Sequence, residues 1–125
     1  LPRQGMMPPP HFVLGDRFGV SSNGSLVAAA FAHFAGEGRP IAHNRPYAGG
    51  YVLDRHARPA DGINAIQLEI DRTRYLDSRM SEPGDGFSDT VHLLVGLVRR
   101  LAAEVAELGR MAGRTGRQGW AEAAE

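Results

Sequence analysis

The sequence predicts an α/β chain, in which a small sheet carries packed helices. Three observations predict it. Residues 64–71 alternate in polarity with a period of two, as a strand does. Residues 88–108 repeat apolar side chains at helical spacing. The elements come in the order strand, helix, strand, loop, strand, helix.

Residues 1–10 hold four prolines and two methionines and read as an irregular leader. His11-Phe12-Val13-Leu14 is a short apolar run stopped by Gly15-Asp16, a buried strand. Ser21, Ser22, Asn23 and Ser25 offer N-caps to a helix that runs to about Ala35, with Val27, Ala30, Phe31 and Phe34 on its buried face and Gly36 and Gly38 as its stop. Pro40 to His43 is a second short strand, and residues 44–62 form a loop-rich stretch with Pro46, Gly49, Gly50, Pro59 and Gly62. In the third strand Ile66, Leu68 and Ile70 share one face, while Ala65, Gln67 and Glu69 share the other. Arg72 to Arg79 is a turn or short helix, and Pro83 to Gly86 breaks the chain. The last helix spans about Ser88 to Leu108, capped by Ser88 and ended by Gly109. Residues 109–125 are expected to be a frayed tail, because they hold four glycines and little to bury. Two good helices and three short strands are few for a self-sufficient three-layer domain, so residues 1–108 read as a portion of one.

The composition excludes several function classes. Fourteen basic and fourteen acidic residues cancel, and a neutral chain lacks the positive footprint that binds phosphate backbones, so no nucleic-acid partner is expected. No apolar run approaches the ~20 residues that cross a bilayer, so no membrane partner is expected either. Every basic residue is Arg, which excludes a Schiff-base or P-loop lysine. With no Cys there is no disulfide, thiolate nucleophile or Cys-ligated zinc. No export signal is visible, which makes the cytoplasm the expected compartment.

Glu69 is the first candidate for chemistry. A carboxylate among Ile66, Leu68 and Ile70 is costly unless it is solvated, paired with an arginine or used. In use, it is a general base and then a general acid toward a water. The run Asn44-Arg45-Pro46-Tyr47-Ala48-Gly49-Gly50-Tyr51 is the second candidate: its adjacent glycines allow a ligand close to the backbone, and equally allow a plain turn. Arg55 suits a carboxylate ligand by its forked geometry, or else a surface ion pair with Asp54 or Asp61. The histidines at 11, 33, 43, 56 and 92 show no metal-ligand spacing, and no G-x-S-x-G frame marks a serine nucleophile.

Five segments in order resemble the N-formylglutamate amidohydrolase family. They are Phe12 to Gly19, Asn44 to Tyr51, Arg55-His56 with Arg58-Pro59, Gly62 to Ile70, and Arg74-Tyr75-Leu76-Asp77. The resemblance implies a three-layer, mixed-sheet zinc-hydrolase fold related to zinc carboxypeptidases and aspartoacylases. It implies a zinc cofactor and hydrolysis of N-formyl-L-glutamate to formate and L-glutamate in histidine breakdown. Glu69 matches the carboxylate that activates the water. Asn44 and Arg55 match substrate-carboxylate contacts, and Gly49, Gly50 and Tyr51 shape the loop. The family's metal ligands lie earlier: two near its N-terminus, and a His in an Asp-x-His-Ser segment ahead of a Met/Leu-Pro. Leu1-Pro2-Arg3 resembles the family's residues just after that segment, so the ligands are expected upstream of Leu1 and the chain alone is expected to be inactive. A related enzyme acting on another N-acyl amino acid, and a non-catalytic binding domain of the same fold, are the alternatives.

Overall fold

A computed structural model describes residues 10–124, with side chains described as far as residue 114. The leader at 1–9 lies outside the described residues. Strand β1 (Phe12–Gly15) is central in a three-stranded sheet, between β2 (Ala42–His43) and β3 (Gln67–Ile70). It runs parallel to β2 and antiparallel to β3, so the sheet is mixed. The remaining elements are helices α1 (Gly24–Gly36), α2 (Tyr51–His56) and α3 (Phe87–Ala124), with single 3-10 turns at Pro59–Asp61 and Arg72–Arg74.

The register sets the two faces of the sheet. Phe12 lies opposite Ile70 and Leu14 opposite Leu68. These side chains join Val27, Ala30 and Phe34 of α1 and Leu93 and Leu97 of α3 in one apolar core, with Ile66 and Leu101 at its margin. Phe34 is fully buried, its ring 5.2 Å from that of Phe12. Both long helices therefore cover the same face, and the described residues form two layers of a mixed α/β fold.

Capping explains where α1 begins. Asn23 is its N-cap, accepting from the Ser25 N–H at 2.9 Å, and it also receives the Asn64 side chain: its own N–H donates to Asn64 Oδ1 at 2.6 Å. Ser21 bonds Ala65 through both backbone and hydroxyl, at 2.9 and 2.7 Å. These bonds lock the start of α1 to the approach to β3.

Several expectations are corrected. Phe31 is half-buried, packing against the margin of the core and against the His43 ring, and Leu26 and Ala29 are buried on α1 in addition to the expected residues. The loop-rich stretch 44–62 also holds an unexpected helix, α2, around buried Leu53. Helix α3 starts at Phe87, which puts Ser88 inside the first turn. It does not stop at Gly109 but continues to Ala124, so the backbone of the expected frayed tail is helical up to that residue. One glycine costs a helix only ~1 kcal/mol, and Arg110 and Arg114 reach back to Glu107 across it.

Candidate active site

The candidate Glu69 lies on the face of the sheet opposite the one that packs under α1 and α3. Val13 lies opposite Glu69, and Gly15 opposite Gln67. Glu69 is exposed there, and Gln67 Nε2 donates to its Oε1 at 2.9 Å.

The chain after β2 folds back over this face. A Cβ on Gly15 would stand 2.6 Å from the Ala48 carbonyl carbon, so only glycine admits the loop so close. The Arg17 N–H donates to Ala48 O at 2.8 Å, and the Arg17 guanidinium bonds Asp54 at 2.9 Å and Gly49 O at 3.4 Å. Gly49 has φ +103°, a left-handed value that favours glycine, and packs against Leu53. The fold-back buries Val13 and brings Pro46 and Tyr47 beside Glu69. They share a cleft of about 280 Å³ with His11 and Arg72.

Beneath the loop is a buried polar cluster. Asp16, 3% exposed, accepts from Asn44 Nδ2 at 2.8 Å, and its N–H donates to Asn44 Oδ1 at 2.9 Å. His43 Nε2 lies 3.0 Å from the same carboxylate oxygen. Burial pushes the Asp16 carboxyl up, but the bonds from Asn44, the Gly19 N–H and His43 together outweigh it and hold the group below its ordinary value. At the rim, Asp71 is also held low, first by the Thr73 N–H and hydroxyl, then by His11.

The sequence-derived candidates separate in space. Glu69 lies at the cleft. Asn44 is 7% exposed with φ +61°, and its amide is engaged with Asp16, so it anchors the loop from below. Gly49 and Gly50 shape the turn into α2, as expected of them. Tyr51 is 75% exposed at the start of α2, and Arg55 is exposed on it with no partner among the described residues; neither lines the cleft with Glu69. Tyr47 does line it, and no sequence pattern singles it out within its run. Asp16 is a further residue absent from the sequence-derived set, although a buried Asp straight after a strand is a visible signal.

The zinc that the resemblance implies needs a set of converging ligands. Among the described residues no three His, Cys, Asp or Glu side chains converge as a metal site. Asp16 and His43 form a pair, but Asp16 is already satisfied by Asn44. The described residues do not fit a complete zinc site.

Residues 1–76 match the family model described as N-formylglutamate amidohydrolase. The chain belongs to the N-formylglutamate amidohydrolase family. Among solved structures it is similar to N-formylglutamate amidohydrolase from Ralstonia eutropha JMP134, with 30% identity and a TM-score of 0.70. That similarity covers 86% of this chain and 37% of the other, so the chain spans little more than a third of its solved relative. No curated protein matches the chain. No helix among the described residues is long and apolar enough to cross a membrane.

Proposed function

We propose that this amidohydrolase-family chain serves the hydrolysis of N-formyl-L-glutamate to formate and L-glutamate, and that Glu69 is its proton-transfer group. The observation that carries this reading is Glu69 exposed at the cleft beside the fold-back loop. In the reaction a water adds to the formyl carbon and the C–N bond breaks. Glu69 takes the water's proton and passes it to the leaving amine nitrogen. Gln67 holds one carboxylate oxygen, and Tyr47 and Pro46 wall the space beside it. Arg55, unpaired among the described residues, is the substrate-carboxylate candidate that remains free to act, provided α2 or the substrate brings the two together.

Zinc dependence and the three-layer hydrolase fold are part of this proposal. The described residues supply no zinc site, so the ligands must come from outside them, and a further layer belongs on the open face of the sheet. Formate release tests the reading. The 125-residue chain alone, supplied with zinc, is expected to give none. A chain extended by the family's metal-ligand segments is expected to turn over, and Glu69→Gln in it should lower kcat by at least ~100-fold. Turnover surviving that substitution within a few-fold would remove Glu69 from the role. Faster turnover of acetyl- or succinyl-amino acids would move the substrate to another N-acyl class.

A further inference from the structure

The cleft beside Glu69 carries a cation that the chain itself leaves unused. Arg72 is the one described arginine that lines it, together with Tyr47, His11 and Asp71. The backbone of Arg72 is fixed. The Asp71 N–H donates to His11 O at 2.8 Å, which pins the 3-10 turn Arg72–Arg74 to the residue ahead of β1. The Arg72 carbonyl accepts from the N–H groups of Tyr75 and Leu76 at 3.2 and 2.9 Å. Its side chain is exposed, and its guanidinium has no partner among the described residues. Two carboxylates share the cleft with it, and it pairs with neither. Asp71 is already engaged: its Oδ1 accepts from the Thr73 N–H and hydroxyl at 3.0 and 2.9 Å, and its Oδ2 lies 3.3 Å from His11 Nδ1. Glu69 accepts from Gln67. Arg72 therefore keeps its planar fork of N–H donors for an incoming anion, and a carboxylate fits that fork with two parallel bonds.

We propose that Arg72 grips a carboxylate of the substrate in the Glu69 cleft. The inference rests on the hydrolytic reading for its substrate, N-formyl-L-glutamate, whose two carboxylates call for two cations. Arg55 does not line the cleft, whereas Arg72 stands where the bond to be broken would meet Glu69. Three residues of chain span at most ~11 Å. Glu69 and Arg72 can therefore address two ends of one small dicarboxylic molecule, the first at its amide nitrogen and the second at an acid group. Asp71, tied to Thr73 and His11, holds the turn and does not compete for the fork.

Ligand affinity tests it apart from turnover. In the extended chain carrying Glu69→Gln, N-formyl-L-glutamate should bind without being consumed, and calorimetry reads its Kd. Adding Arg72→Gln should weaken binding at least ~10-fold, the scale of a lost charge-assisted bond. Arg72→Lys should recover part of that loss, since it keeps the charge but not the fork. N-formyl-L-glutamine lacks the side-chain carboxylate, and N-formyl-L-isoglutamine lacks the α-carboxylate. Arg72→Gln should leave the affinity for one of these amides unchanged, and that amide names the carboxylate gripped. A Kd for N-formyl-L-glutamate that moves by less than ~2-fold overturns the proposal. So does an equal loss for the acid and both amides, which is the mark of a structural role. If Arg72→Gln fails to fold, Arg72→Lys and the same ligands decide. Affinity that depends on Arg72, in a chain whose Glu69→Gln variant still turns over, overturns the proton-transfer reading alone. Turnover lost at Glu69 with affinity blind to Arg72 overturns this proposal alone.

Discussion

The two faces of this sheet are built from alternate residues of the same strands, yet they are held by different forces. On one face Phe12, Leu14, Leu68 and Ile70 pack under α1 and α3. On the other, Val13, Gly15, Gln67 and Glu69 lie under a loop fastened by hydrogen bonds and by the absence of a side chain at Gly15. The first face makes stability and the second holds the candidate site. A one-residue step along a strand crosses between them, so the division is sharp enough to test by single substitutions.

The largest loss is expected on the helix face. Phe34 is fully buried against Phe12, and Phe34→Ala should cost about 3–5 kcal/mol, since it removes burial and leaves a cavity. Chemical denaturation followed by circular dichroism measures it. A loss below ~1 kcal/mol, the size of an ordinary surface change, would mean that the helices are not what holds the sheet.

A smaller loss is expected beneath the loop. Asn44→Ala removes the donor to Asp16 Oδ1 and the acceptor of the Asp16 N–H, leaving a buried carboxylate short of partners, at about 2–3 kcal/mol. The same unfolding curves should place it between Phe34→Ala and any exposed substitution. A cost near zero would show that solvent replaces the amide and that the cluster is not closed.

The helix face is the legible half. The alternation of Ile66, Leu68 and Ile70 arises from burial, and burial leaves a periodic mark in sequence. The repeat of Val91, Leu94, Val95, Val98, Leu101, Ala102, Val105 and Leu108 finds the helix α3 but not its buried side, since Leu93 and Leu97 enter the core and the four valines are exposed. The open face leaves none. Tyr47 reaches the cleft because the chain doubles back over Gly15, a close approach of Gly15 to Ala48 that no local pattern records. Asn44 reads as a substrate contact through the family resemblance, whereas its partner Asp16 lies across the β1–β2 pairing. The end of α3 misleads for a simpler reason. Gly109 resembles a stop, but a stop also needs the chain to leave the helical path, and the residues after it continue the helix.

Acid should separate the faces further. The Asp16 carboxyl is held below its ordinary value of 3.8 in the folded chain. As pH falls through that region the unfolded state binds the proton first, so stability present above about pH 4 is lost on going lower. Asp16→Asn should flatten this acid slope in denaturation midpoints measured from about pH 6 to about pH 3. Asp71 contributes a slope of the same sign, so some acid sensitivity should remain. A variant with an unchanged slope would mean that Asp16 keeps no lowered carboxyl in solution.

The smallest effect on stability is expected at the residue given the most chemistry. Glu69 is exposed, and its hydrogen bond within the chain comes from Gln67, a neighbour on the same strand. Removing its charge with Glu69→Gln leaves packing untouched, so the unfolding free energy should move by less than ~0.5 kcal/mol. The contrast with Phe34→Ala then lies within one strand pairing, since Phe12 under Phe34 pairs with Ile70, the residue next to Glu69. Should Glu69→Gln destabilise the chain by ~2 kcal/mol or more, the scale of a lost buried partner, the carboxylate would be a structural member of the open face, and proton transfer would need another residue.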